Sequence, residues 1–239
     1  MADNGKTSPW VWVGCGCLGA LLLIVGSIGA FLFSGYRWAK DVEETMKDPV
    51  ARTERVNEIL GSDELPPGYF AVAGLTVPLL AEIAVISTKE PEAGSEPDDL
   101  GDDGFVYVKV KWPMADKKRE LRDFIEGKTD HTPDILLQSN IRIDSDEVIG
   151  RGELSIDGVS MPYVVNRGDL HVEGSGGKGI AAMVMVDCPE ESRVRIGIWF
   201  GADPADEASQ EEVEVDLSGT PADESALREF FSYFSFCEN

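Results

Sequence analysis

The sequence is poor in the residues that most enzyme sites use. It contains two histidines and four cysteines among 239 residues. Neither His131 nor His171 has a second His or Cys three to five positions away, so a zinc site of the usual spacing lacks ligands. No Gly-x-Ser-x-Gly elbow accompanies these histidines, which excludes the nucleophile motif of the α/β-hydrolases. The sequence therefore predicts no catalytic residue, no metal site and no cofactor.

Basic residues are also scarce, with 21 Lys and Arg against 44 Asp and Glu and a formal net charge of −23. A nucleic-acid partner is excluded because phosphate binding needs a basic face. The same acidity disfavours a domain that lies flat on an anionic bilayer. An acid-based hydrolase, which would use two neighbouring carboxylates, stays open as an alternative. The large number of acidic residues brings some carboxylates together by chance, so such a pair would not by itself indicate catalysis.

Charge is missing altogether between Trp10 and Phe33, a run of 24 residues. As a helix this run would reach roughly 36 Å, which exceeds a hydrocarbon core of about 30 Å. Aromatic residues stand at both borders, as in the interfacial belts of membrane helices. The run is too long for a signal peptide, and no cleavage site follows it. We therefore predict a tail at 1–9 and an uncleaved signal-anchor, a single-pass transmembrane helix, at 10–34 that contacts the lipid bilayer.

Small residues are concentrated at the start of this segment. Such patches allow two membrane helices to approach closely, and the alternative is that they are neutral filler in a glycine-rich span. The first interpretation would make the protein an accessory subunit of a membrane complex. The candidate helix-packing residues are Gly14, Gly16, Gly19 and Ala20, next to Cys15 and Cys17.

The orientation of the anchor is indicated by two signals that disagree. Lys6 precedes the span, whereas five basic residues follow it within about 20 positions, and the positive-inside rule then places the following domain in the cytoplasm. A short N-terminal tail, however, usually stays inside while the rest is exported. We expect an extracytoplasmic domain.

The segment 35–64 is predicted to be a helical linker. It is interrupted at Asp48-Pro49, where Asp48 can cap a second helix whose first residue is Pro49. Gly61 is expected to end this helix. Its predicted apolar stripe consists of Val50, Val56, Ile59 and Leu60.

Residues 65–239 are predicted to form one soluble α+β domain, a mostly antiparallel sheet with flanking helices, because strand runs do not alternate regularly with helices. Phe105–Trp112 alternates as a half-buried strand does. Asp157-Gly158 is a hairpin signal of the type I′ turn. The apolar segment 70–86 is predicted to be two strands rather than a second span, because it contains Pro78 and Glu82. The predicted strands are 69–77, 79–87, 105–112, 134–144, 148–156, 159–166, 180–187, 193–200 and 213–219.

Two helices are predicted within this domain. The first covers 115–126, and the second closes the chain from Thr220, with Thr220 as its cap. Two acidic stretches, Lys89–Gly104 and Ala202–Glu212, have the composition of loops. The last helix ends in a Ser- and Phe-containing stretch, Phe230-Phe231-Ser232-Tyr233-Phe234-Ser235-Phe236.

This layout, hairpins closed by a terminal helix with that stretch, resembles the PsbP-like α/β/α sandwich group over residues 65–239. Members of that group bind partner proteins and mostly lack a catalytic site. The resemblance therefore implies a non-enzymatic module, and it transfers no functional residue to this chain.

The remaining cysteines, Cys188 and Cys237, are a candidate disulfide pair if the domain is exported. Together these observations predict a non-enzymatic binding or scaffold domain, tethered to the membrane, with a protein partner in the bacterial cell envelope. The accessory subunit and the acid-based hydrolase are the alternatives. The sequence identifies neither the partner nor the oligomeric state.

Overall fold

The computed structural model describes residue 42 and residues 45–91, 103–133, 141–172, 175–189, 191–207 and 215–237. The tail 1–9, the predicted transmembrane segment 10–34 and the start of the linker lie outside these residues. Within the described ranges, no helix has both the length and the apolar character that a membrane span requires.

The first helix, α1, covers Pro49–Leu60 and has the predicted limits. The Asp48 carboxylate accepts a 2.9 Å hydrogen bond from the backbone N–H of Val50, and Gly61 ends the helix with a φ of 65°. The predicted stripe is wrong at Val50, which is 68% exposed. The buried side instead begins at Arg52. Val50 lies two positions before Arg52, so its side chain points about 160° away from that side of the helix.

Seven strands form a single antiparallel sheet, which confirms the α+β class and the mostly antiparallel sheet. Its order across the sheet is β1-β2-β3-β7-β6-β5-β4. The strands are β1 (Phe70–Val77), β2 (Ala81–Ser87), β3 (Gly104–Val110), β4 (Ile141–Ile156), β5 (Val159–Val172), β6 (Ser175–Met185) and β7 (Arg195–Ala202). The other helices are α2 (Ala115–Ile125), α3 (Pro204–Glu207) and α4 (Glu224–Phe231).

Helices cover both faces of this sheet. Residues of α1 and α4 pack with Phe105 and Tyr107 in one core, and Leu121 and Ile125 of α2 pack with Val106 in another. The prediction of a half-buried β3 is therefore wrong, because Phe105, Val106 and Tyr107 are all buried. Since Val56, Ile59 and Leu60 belong to the first core, the folded unit includes α1 and begins before residue 65.

Local turn and cap predictions have mixed outcomes. Asp157 and Gly158 have φ angles of 51° and 80°, as the type I′ turn requires. The cap of α4 is Asp223, whose carboxylate accepts a 2.9 Å bond from the N–H of Ser225, so the predicted cap Thr220 is wrong. The Thr220 hydroxyl instead donates to the Leu217 carbonyl at 2.7 Å, within a turn. Residues 215–219 are not a strand.

The register defines two ends of the sheet. The β1–β2 turn, the end of β3, the start of β7 and the β4–β5 turn lie at one end, which we call the turn end. The start of β1, the end of β2 and the start of β3 lie at the other, which we call the opposite end. At about 3.3 Å per residue, the eight residues of β1 separate the two ends by roughly 26 Å.

Candidate functional site

Three large hydrophobic side chains are exposed together at the turn end, and we call them the apolar tip. Leu79 is 85% exposed, Leu80 49% and Trp112 43%. The N–H of Lys111 donates a 2.9 Å hydrogen bond to the Leu80 carbonyl, which continues the pairing of Ala81 with Val110. Leu79 and Trp112 are the next residues along these two segments. The tip is thus formed by the β1–β2 turn and the residues that follow β3.

The backbone of Leu79 is held in a conformation that leucine disfavours. Its φ is 64°, and the N–H of Leu80 donates to the Val77 carbonyl at 3.1 Å. Pro78 and Leu79 thus occupy the central positions of a type II-like turn, where glycine or asparagine is usual at the second. A non-glycine residue at positive φ costs on the order of 1 kcal/mol or more. Neither burial nor backbone preference explains leucine here, so its exposed side chain is the feature to be explained.

A small charged cluster lies directly beneath the tip. The Glu82 carboxylate contacts Lys109 Nζ and Lys111 Nζ, each at 3.1 Å. Burial alone would raise the pKa of Glu82, but hydrogen bonds and charge attraction from the two lysines together lower it. Lys109 is buried, whereas Lys111 is partly exposed. The Lys111 ammonium is therefore the cation that this cluster presents at the surface next to the apolar tip.

Buried polar contacts fix the neighbouring start of β7. The buried Arg195 guanidinium donates to Glu191 at 2.7 Å and to the Phe236 carbonyl, and it lies 3.4 Å from the Tyr107 hydroxyl. Burial raises the pKa of Tyr107 to about 12, although the nearby Arg195 charge acts in the opposite direction. The Val110 N–H donates to the Val194 carbonyl at 2.9 Å, which joins the end of β3 to the residue that precedes β7.

The two candidate disulfide residues are also brought together at this end. Cys188 and Cys237 are joined by a disulfide with a Cα–Cα distance of 5.5 Å. Cys188 follows β6 and is buried, whereas Cys237 follows α4. The bond therefore attaches the C-terminal segment to the loop that precedes β7. The other candidate residues, Gly14, Gly16, Gly19 and Ala20, lie outside the described residues.

The two histidines lie in different parts of the fold, one in the loop after α2 and the other in β5. His131 is exposed, and its backbone N–H donates to the Thr129 hydroxyl at 3.1 Å. His171 belongs to β5. In the described part of the chain, no three His, Cys, Asp or Glu side chains are grouped so that they could hold a metal ion.

Sequence reasoning missed the apolar tip, although a signal was present. Val77-Pro78-Leu79-Leu80 continues the apolar character of β1 through a turn, where polar residues are usual, and Trp112 is followed by Pro113. No protein-family model matches the chain, and no curated protein matches it. The functional argument therefore depends on the geometry of the tip.

Proposed function

We propose that this protein is a non-enzymatic binding module, tethered to the membrane through residues 10–34, whose apolar tip docks a protein partner in the bacterial cell envelope. The observation that carries the proposal is the exposure of Leu79 and Leu80 in the β1–β2 turn and of Trp112 after β3, at the same end of the sheet. Protein interfaces obtain most of their binding energy from a few such anchors, with tryptophan enriched among them. The resemblance to the PsbP-like group supports the same class of function.

A protein partner is favoured over the bilayer as the occupant of the tip. The net charge of −23 repels an anionic lipid surface over a range of about one Debye length. A protein can instead present an apolar pocket for Leu79 and Trp112 with acidic residues around it. Those acids would complement the partly exposed Lys111 at the margin of the tip.

Site-specific photocrosslinking in cells that produce the full chain tests the proposal. A photoreactive phenylalanine replaces Leu79, and the control replaces Asp157, which lies in the β4–β5 turn at the same end but at the other edge of the sheet. We expect one discrete protein adduct from position 79 and none from position 157. The adduct should disappear when Leu80 and Trp112 are both replaced by aspartate.

Two results would contradict the proposal. The first is a set of adducts from position 79 that contain only lipid, because the tip would then insert into a bilayer. The second is the same protein adducts from positions 79 and 157, which would indicate non-specific proximity.

A further inference from the structure

At the opposite end of the sheet, α1 buries a guanidinium without a counter-charge. Arg52 is only 6% exposed. Its Nη1 donates a 2.8 Å hydrogen bond to the Met46 carbonyl. Its Nε is buried and has no hydrogen-bond partner, and no carboxylate of the described residues forms an ion pair with it.

An arrangement of this kind is costly in the absence of a ligand. A buried charge is normally neutralised by a partner, because taking a guanidinium out of water is unfavourable by several kcal/mol. Arginine also offers five N–H donors in a planar fork, which matches a carboxylate. Arg52 satisfies one donor with a backbone carbonyl, and its buried Nε has no hydrogen-bond partner. The side chain is therefore set up for an anion that comes from outside the fold.

Arg52 lines a cavity that could admit such an anion. The cavity has a volume of about 390 Å³, which falls within the usual range for small-molecule sites. Leu65, Tyr69 and Phe70 provide an apolar wall, and the exposed acidic residues Asp63, Glu64 and Glu90 also line the cavity. A polyanion such as phosphate would be repelled by these acidic residues, whereas a single carboxylate on an apolar body fits the wall and the guanidinium together.

We propose that this cavity binds a small organic monocarboxylate, whose carboxylate pairs with Arg52 and whose apolar body lies against Tyr69 and Phe70. The cavity is about one strand length from the apolar tip. The two sites rest on different residues, so this inference stands or falls independently of the proposed function.

Ligand-observed ¹⁹F NMR on the full chain in detergent micelles provides the test. The probes are 4-fluorobenzoate, 4-fluorophenylacetate and 5-fluoropentanoate, each compared with its neutral amide, which reports partition into the micelle. We expect at least one carboxylate to bind ten times more tightly than its amide. Arg52→Met, which keeps the apolar stem, should weaken that binding at least tenfold.

The matched control is Arg55→Met on the same helix. Arg55 pairs with Glu58 and Thr76 and does not line the cavity, so binding should be unchanged. If circular dichroism shows that Arg52→Met is unfolded, Thr53→Trp replaces it, because Thr53 lines the cavity and the larger ring would fill it. Equal binding of carboxylate and amide, no binding of any carboxylate, or full binding by the folded Arg52→Met or Thr53→Trp variant would overturn the inference.

Discussion

Trp199 Nε1 donates a 2.8 Å hydrogen bond to the hydroxyl of Tyr69. The indole ring also stacks on Phe230 with a centroid distance of 4.5 Å and an interplanar angle of 1°. Trp199 therefore connects the centre of the sheet to α4 and to the residue that precedes β1. The same Tyr69 ring forms part of the cavity wall next to Arg52, so the core and the proposed carboxylate site share a side chain.

Tyr69→Phe should lower the free energy of unfolding by about 1 kcal/mol, because the indole N–H of the buried Trp199 loses its acceptor. Urea unfolding followed by circular dichroism measures the change. Tyr233→Phe is the control, since no hydrogen bond of its hydroxyl is found among the described residues, and it should change stability by less than about 0.5 kcal/mol. Equal effects of the two substitutions would show that the bond to Trp199 contributes nothing.

The buried Tyr107 should make stability depend on pH in the alkaline range. Its pKa is raised from 10.0 to about 12, so the folded state keeps the neutral phenol while the unfolded chain ionises. Its contribution is complete below pH 10 and declines between pH 10 and 12, by about 2–3 kcal/mol in total. In urea unfolding experiments from pH 9 to 11.5, we expect the free energy of unfolding to decline less for Tyr107→Phe than for the native protein. An equal decline in both proteins would show that Tyr107 does not cause the loss of stability at alkaline pH.

The disulfide should contribute about 3–4 kcal/mol to stability, because it closes a loop of 49 positions in the unfolded chain. The double variant Cys188→Ala with Cys237→Ala should show this loss in urea unfolding. The reductant dithiothreitol should destabilise the native protein by a similar amount and leave the double variant unchanged. A variant with Cys15→Ser and Cys17→Ser is the control and should behave as the native protein does.

Glu82→Gln should destabilise the domain by about 1–2 kcal/mol, because it removes the negative charge that the buried Lys109 ammonium and Lys111 both contact. Since the pKa of Glu82 lies below its ordinary value of 4.5, its contribution is present above that pH and is lost on acidification. The difference between native and variant unfolding free energies should therefore shrink below pH 4.5. Glu58→Gln, an exposed pair with Arg55, should cost less than about 1 kcal/mol.

Leu79→Gly should separate stability from binding. Glycine adopts a φ near 64° without steric cost, so we expect a gain of about 0.5–1 kcal/mol in unfolding free energy after the larger chain entropy of glycine is included. The yield of the crosslinked adduct from a photoreactive residue at Leu80 should fall at least fivefold in the same variant. A stabilised variant with an undiminished adduct would contradict the role of Leu79 in docking.

The features that could be predicted from the sequence are those determined over a few residues. Asp48, Pro49 and Gly61 define α1 because capping and helix termination depend on the local backbone. Asp157-Gly158 likewise specifies a turn whose φ angles are positive at both positions. The cap of α4 was mispredicted because Thr220 and Asp223 compete within four residues, and the Thr220 hydroxyl is used by the Leu217 carbonyl.

The features that escaped prediction depend on distant parts of the chain. Val106 is buried only because α2 packs on its face of the sheet, and alternation in β3 cannot reveal a second covering layer. The register of β2 with β3 brings the β1–β2 turn, which contains Leu79, next to the segment that leads to Trp112. Arg52 is one of the five basic residues that follow the predicted span. Its burial follows from α1 packing on β1 and β2, which no local pattern in the linker indicates.

The Cys188–Cys237 bond also changes what a break in the chain would do. β7, α3, α4 and the acidic stretch Ala202–Glu212 all lie between the two cysteines, inside a covalently closed ring. A single peptide cleavage within that ring opens it without producing two molecules. The C-terminal helix would then stay attached through sulfur rather than through the backbone, and its aromatic side chains would remain next to the sheet that they cover.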